Sequence, residues 1–285
     1  HQISVEPTED GGIQFALDTP MDNLPILLDV PIVKAADVAD SGLKGEQIPL
    51  GTGPYIFEKN LAGAQLRRNG AWWASSPDLD ATANIITLVA AESPTQIRDQ
   101  FEFFDVNLVL ADPGSAFYAE YRCDYELWDC ESGQLLYLAA NPNRQVFSNQ
   151  AVRAALARSI DREALVDAYY SGFGQAAVLP ASPYSQHYDQ KLAEKYPYDP
   201  DALTKAVEAA GLVGAEVLIL LNSDDGVRLR VGREIIAIME KAGLVVNTLE
   251  LNQEEFLVHV KWYEYDLYLG QTKLTPNMDL SEFFG

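Results

Sequence analysis

Between residues 215 and 270 the chain alternates twice between a short apolar run and a stretch of helical period. Residues 215–221 read as a strand. Residues 226–242 read as a helix with Val227, Val231, Ile235 and Ile238 on one face, closed by Gly243. A second strand follows over 244–251, a helix capped by Asn252-Gln253-Glu254-Glu255, and a third strand over 265–270. A β-α-β-α-β order predicts a parallel sheet with right-handed crossovers, because a helix can return the chain to the same end of the sheet only that way. Ligands of such sheets sit beyond the carboxyl ends of the strands. That rule directs attention to Asn222-Ser223-Asp224-Asp225 and to Gln271-Thr272-Lys273.

The remainder is read around this half. Residues 13–17 alternate like a strand, and Gly51-Thr52-Gly53-Pro54-Tyr55 punctuates the chain before strand-like 55–60 and 64–69. Residues 84–90, 106–110 and 134–140 are further predicted strands. Ser93-Pro94-Thr95-Gln96 has the form of a capping box and opens a helix to about Phe103. After Asn141-Pro142-Asn143 helices dominate: 149–159, then 162–170 capped by Asp161, then one begun by Asp199-Pro200 and ended by Gly211.

Composition sets bounds on function. The 285 residues suffice for two compact domains, and no apolar run reaches the length of a membrane span. The first residues carry no basic stretch followed by an apolar segment, as a trimmed sequence would. Asp and Glu number 42 against 20 Lys and Arg, a net charge of −22. Such a field repels phosphate backbones, which argues against a nucleic-acid partner and favours neutral or cationic ligands. The two cysteines, Cys123 and Cys130, either close a short disulfide loop or stand as two free thiols; their spacing allows both.

Catalytic signatures are missing. His1, His187 and His259 lie apart without ligand-spaced partners, so no metal or cofactor is expected, and His259 reads as a surface or boundary residue. The sequence has no GxSxG elbow, HExxH or GxxxxGK[ST]. Asp224-Asp225 sits where a helix begins and reads first as capping.

Several ordered phrases resemble one family. GTGPYIF at 51–57, RRNGAWW at 67–73, LYLAANPN at 136–143, AVRAALARSIDREALVDAYYSGFGQAA at 151–177, YPYDPDALTKAVEAAGL at 196–212 and YDLYLGQTKLTPNMDLSEFF at 265–284 follow in order the motifs of the family 5 extracellular solute-binding proteins, the peptide and nickel receptors of ABC importers. The resemblance implies an α/β, periplasmic-binding-protein-like fold of the large class II type. Its two lobes would carry mixed and parallel sheets, residues 1–140 belonging to the first and 141–285 to the second. It also implies that this is an internal portion of a longer receptor. The implied function is capture of a peptide or related small solute, without catalysis, for a membrane permease. The implied setting is extracellular or periplasmic, as a lipoprotein-anchored monomer in full-length form. A hydrolase acting on peptide or glycan and a ligand-free interaction scaffold are the alternatives.

Candidate contacts lie on loops at strand ends: Asn141, Tyr184, Asn222, Asp225, Gln271, Thr272 and Asn277. Asn141 would meet ligand or cap a turn, and Tyr184 would stack on ligand from its loop. In peptide-binding relatives an Asp after the last strand pairs with the ligand's amino group, whereas Leu274 stands there in this chain. Gln271 stands where those relatives carry an aromatic, and Asn222 is the nearest position to their arginine. Trp72, Trp73 and Arg153 read as structural residues.

Overall fold

A computed structural model of the chain describes residues 3–20, 24–28, 32–34, 50–60, 63–74, 81–111, 121–185, 188–275 and 280. The chain divides into two compact units, His1–Val109 and Leu110–Gly285.

In the first unit, β1 (Ile3–Pro7) and β2 (Ile13–Leu17) form an antiparallel hairpin, Ile3 opposite Leu17 and Pro7 opposite Ile13. Its turn closes through Gly11, whose φ of 84° suits a residue without a Cβ. A short α1 (Leu24–Leu27) follows. Then β3 (Tyr55–Asn60), β4 (Gly63–Arg68) and β5 (Ile85–Leu88) make a three-stranded antiparallel meander. The predicted capping box opens α2 (Pro94–Glu102): Ser93 Oγ accepts the Gln96 N–H, and Gln96 Oε1 reaches back to the Glu92 N–H.

Residues 106–110 do not form the expected strand. The chain reverses at Phe104 (φ 63°), and Leu108 and Leu110 are 84% and 97% exposed, with no described strand alongside. An apolar run predicts what a segment would bury, but a strand also needs a hydrogen-bonding neighbour.

The second unit is built on one mixed sheet. Its elements are β6 (Gln134–Ala140), α3 (Gln145–Ser148), α4 (Gln150–Ser159), α5 (Arg162–Tyr170), α6 (Gln190–Ala193), α7 (Ala202–Ala209), β7 (Glu216–Asn222), α8 (Gly226–Lys241), β8 (Val245–Leu251), α9 (Gln253–Lys261) and β9 (Leu267–Lys273). Strand order is β6-β9-β7-β8. β7 runs parallel to β8 over its whole length and parallel to β9 at Ile219–Leu267 and Leu220–Tyr268, as the β-α-β-α-β pattern predicts. β6 is antiparallel to β9, so residues 134–140 pack in the sheet of the second unit.

The two crossovers move in opposite directions along the sheet, so right-handedness puts α8 and α9 on opposite faces. Burial agrees. Val217, Ile219 and Leu221 face one cluster with Val231, Ile235 and Met239 of α8, while Leu220 faces Phe256 of α9. Asn149, Asp161 and Asn252 accept N–H groups at the starts of α4, α5 and α9, as their sequence positions predict. α7 starts two residues later than the Asp199-Pro200 signal, because Asp199 Oδ1 caps the preceding turn through the Asp201 N–H. Ser159 ties α4 to α7: its Oγ donates to the Ala155 carbonyl and accepts the Leu203 N–H at 2.9 Å.

α8 approaches β7 closely at Gly232, where a Cβ would stand 2.5 Å from a Leu221 methyl carbon. Alanine normally gains about 1 kcal/mol over glycine inside a helix. In this buried contact, overpacking costs about 1–3 kcal/mol and reverses that sign. Gly232→Ala is therefore expected to lower the unfolding midpoint, whereas a gain in thermal stability would show that α8 can shift off the sheet.

Candidate functional site

The carboxyl ends of the parallel strands are where the loops carrying Asn222, Asp224, Asp225 and Gln253 converge. Asn222 is fully buried. Its Oδ1 accepts the Asp224 N–H at 2.8 Å and its Nδ2 donates to Gln253 Oε1. Asp224 Oδ2 accepts the Gln253 N–H at 2.8 Å, and Ser223 N–H donates to the Leu251 carbonyl. The loops after β7 and β8 are thus stitched to each other by side chains that satisfy one another.

Asp225 caps α8, Oδ1 accepting from the Val227 and Arg228 N–H groups at 3.0 and 2.9 Å. Its other oxygen lies 3.6 Å from Arg228 Nε. Arg228 is 9% exposed, and its Nε has no hydrogen-bond partner. A guanidinium held this deep is a feature that sequence reading missed. Position 228 shares a helical face with Val231 and Ile235, so the spacing alone reveals that it points inward.

β9 continues past this edge. Leu220 lies opposite Tyr268, so by register Asn222 is level with Gly270 and residues 271–273 overrun the end of β7. Gln271 and Thr272 lie there on opposite faces of the strand; the Gln271 amide donates to Gln134 Oε1 on β6. Asn141 lies at the other end. It follows Ala140, which pairs with Leu267 at the start of β9. Its buried amide donates to the Tyr265 carbonyl at 3.1 Å and accepts the Asn143 N–H at 3.0 Å, the turn-capping alternative of the sequence reading. Asn141 and the Gln271–Thr272 pair therefore do not converge on one spot. Asn277 lies outside the described residues.

Behind Gly270 the sheet carries an aromatic cluster. Tyr137 meets Tyr268 edge-on, with hydroxyls 3.3 Å apart, and Tyr268 meets Phe256 and Tyr265 the same way. Burial raises the Tyr265 pKa. The rings reach this position because Gly270 has no Cβ; one would stand 2.6 Å from Tyr137 Cζ.

Tyr184, 70% exposed, lines a separate open depression of about 410 Å³ with Glu163, Val166 and Asp167 of α5 and with Gln175 and Pro183 of the following loop. α5 is fastened to α8 on its other side. The Tyr169 hydroxyl donates to Glu234 at 2.6 Å, and Arg230 lies 5.9 Å from the Tyr169 ring centre. The bond to Glu234 holds the Tyr169 pKa above its ordinary value. Arg162, at the start of α5, donates to the Ala157 and Ile160 carbonyls, and burial lowers its pKa.

The remaining sequence candidates resolve simply. Cys123, half-buried, and Cys130, exposed, are not bonded to each other in this structure. Arg153 supports the start of α4, donating to the Phe147 and Ser148 carbonyls. Trp73, expected to pack, is 76% exposed and meets Trp72 edge-on. His259 is partly buried, 2.9 Å from Glu264. Among the described residues no group of three or more His, Cys, Asp or Glu is arranged to hold a metal, and no helix is long and apolar enough to cross a membrane.

A sequence profile of the bacterial extracellular solute-binding proteins, family 5 Middle, matches residues 1–284. The chain is 29% identical to heme-binding protein A of Haemophilus influenzae over 220 residues, covering 73% of this chain and 39% of that protein. It is 24% identical to di/tripeptide-binding protein 2 of Pseudomonas aeruginosa over 283 residues, covering 93% and 52%. It spans about half the length, or less, of these curated relatives. Among solved structures, the ABC transporter substrate-binding protein CtaP of Listeria monocytogenes superposes with a TM-score of 0.78 at 17% identity, over 99% of this chain and 60% of that one. At that identity the likeness carries the fold alone, and the fold is that of the periplasmic binding proteins.

Gly270→Ala is expected to displace the Tyr137 ring and lower the unfolding midpoint by the equivalent of about 1–3 kcal/mol, the usual cost of overpacking; an unchanged midpoint would show that both rings swing away freely. The Tyr169–Glu234 bond carries its own pH signature. Its stabilisation is fully present below the ordinary tyrosine pKa of about 10 and is lost as pH rises through the higher folded value. Wild-type and Tyr169→Phe proteins should therefore differ in thermal stability at neutral pH and converge in alkali; a constant difference across that range would refute the assignment.

Proposed function

The chain belongs to the bacterial extracellular solute-binding proteins, family 5, and from that membership we propose that it is the solute-capturing part of an ABC importer. It binds a peptide or a related small solute, without catalysis, and delivers it to a membrane permease. Residues 1–109 are assigned to the first lobe and 110–285, whose sheet includes β6, to the second, and the full-length protein is an extracellular or periplasmic monomer held as a lipoprotein. The carrying observation is that the profile match runs the length of a chain whose second unit is a β-α-β-α-β sheet with an antiparallel β6 at its edge. In such sheets recognition belongs to the loops beyond the carboxyl ends. Gln271, Thr272 and Asn277 are the proposed ligand-facing residues at this edge, with Tyr184 apart from them on its own loop; buried Asn222 and Arg228 and the α8 cap Asp225 hold the loops in place behind them. Asn141 keeps a supporting role through its turn.

Peptides are the first solutes to test because di- and tripeptide receptors recur among the relatives. A relative named for heme makes hemin a necessary comparison. Charge bears on the choice as well: a net charge of −22 disfavours anionic solutes. The functional prediction concerns the intact protein. Titration with Ala-Ala, trialanine or hemin should give saturable stabilisation by one of them. A ligand at a hundredfold its Kd adds about 2.7 kcal/mol, a shift of a few degrees in midpoint. Mass spectrometry of the mixture should return the solute unchanged. Cleaved peptide would favour the hydrolase alternative, and no stabilisation by any probe would favour the scaffold.

A further inference from the structure

We infer that Asn69-Gly70 is a site of spontaneous covalent modification: Asn69 is deamidated with the Gly70 nitrogen as nucleophile, and the change loosens a joint of the first unit. The inference is independent of which solute the protein binds. Asparagine is among the thermally labile side chains, and a following glycine offers the least obstructed backbone nitrogen, because it has no Cβ. Asn69-Gly70 is the single Asn-Gly pair in the sequence. The fold leaves it reactive in three respects. The Gly70 N–H has no hydrogen-bond partner among the described residues, so no carbonyl holds the nucleophile back. The space around Gly70 is open, since a Cβ built there would meet nothing within 4 Å. Asn69 Oδ1 accepts the Ala71 N–H at 3.1 Å, which polarises the carboxamide and steadies the oxyanion that forms when its carbon is attacked. Asn222-Ser223 is the contrasting case. Asn222 is fully buried, both ends of its amide are bonded, and the Ser223 N–H is taken by the Leu251 carbonyl.

The reaction needs only water and base. The Gly70 nitrogen gives its proton to solvent base and bonds to Asn69 Cγ. The Cγ–Nδ2 bond then breaks, and the carboxamide nitrogen takes up a proton and leaves as ammonia. Water opens the resulting five-membered succinimide at either carbonyl, giving an aspartyl or an isoaspartyl residue. What is lost is a clamp. Asn69 Nδ2 donates to the Gly53 carbonyl at 3.1 Å, its N–H donates to the Pro54 carbonyl at 2.8 Å, and its carbonyl accepts the Trp72 N–H. One residue therefore ties the Gly51–Tyr55 turn to the turn that carries Trp72 and Trp73. A carboxylate has no proton to donate, so the aspartyl product sets a negative acceptor against the Gly53 carbonyl. The isoaspartyl product adds a carbon to the main chain inside the 69–72 turn and breaks its register.

The test is to hold the intact protein in mildly alkaline buffer at physiological temperature and to follow each asparagine by peptide mapping and mass spectrometry. Asn69 should deamidate at least about tenfold faster than Asn222, because only Gly70 is both unhindered and unbonded. Its rate should also be no less than about a tenth of that in a synthetic peptide of residues 64–74, the mark of a segment that the fold does not protect. Gly70→Ala is a control that folds, since Gly70 lies outside the left-handed region and has open space for a methyl group. It should slow the reaction at Asn69 about tenfold or more. Asn69→Asp, which installs one product directly, should lower the unfolding midpoint. Equal rates at Asn69 and Asn222, protection beyond tenfold relative to the peptide, or indifference to Gly70→Ala would each overturn the site. An Asn69→Asp midpoint equal to that of wild type would overturn the loosening of the joint.

Discussion

The second unit depends on the burial of one strand on both faces. β7 lies between β9 and β8, and Val217, Ile219, Leu220 and Leu221 are each fully buried. Its backbone groups have no water to turn to, so they must be met by the neighbouring parallel strands. Even the irregular approach to β9 serves this end: the Leu218 N–H donates to the Asp266 carboxylate, and its carbonyl accepts the Asp266 N–H. Once β7 is so placed, α8 and α9 have only the two faces of the sheet to cover. The absence of a side chain at Gly232 then decides how closely α8 can do so.

The same constraint shapes the loops. A strand that ends in a fully buried asparagine cannot leave that amide unsatisfied, and Asn222 is met by Asp224 and Gln253 from the loops it joins. The carboxyl edge of the sheet is consequently stiff. Asp225 adds to this by capping α8 while standing near the buried Arg228 guanidinium. Stiff loops suit a receptor that recognises a solute by preset geometry, since less conformational freedom is lost on binding.

Much of the fold is legible in the sequence because it follows from periodicity and punctuation. The apolar runs at 215–221 and 244–251, separated by a helix with a buried stripe, leave little choice but a parallel pair. Asn149, Asp161, Ser93 and Asn252 announce their helices by chemistry that acts within a turn. Residues 106–110 show where such reading stops. Their apolarity is plain, but pairing depends on a partner that local sequence does not specify. The candidate site was less legible for the same reason: Asn141 and Gln271 both stand at strand ends, yet β6 runs against β9 and sets them at opposite edges of the sheet.

The sequence by itself determined most of the longer elements, the parallel direction of β7, β8 and β9, the helix caps, the acidic field and the family. These follow from interactions among residues close in the chain, or from motifs preserved in order. Only the tertiary structure decided which polar side chains are occupied by the fold. That outcome turns on contacts between distant segments: Asn222 with Gln253, Gln271 with Gln134, and Tyr169 with Glu234. Periodicity carries no information about such pairs, because they are set by strand order and register rather than by neighbours along the chain.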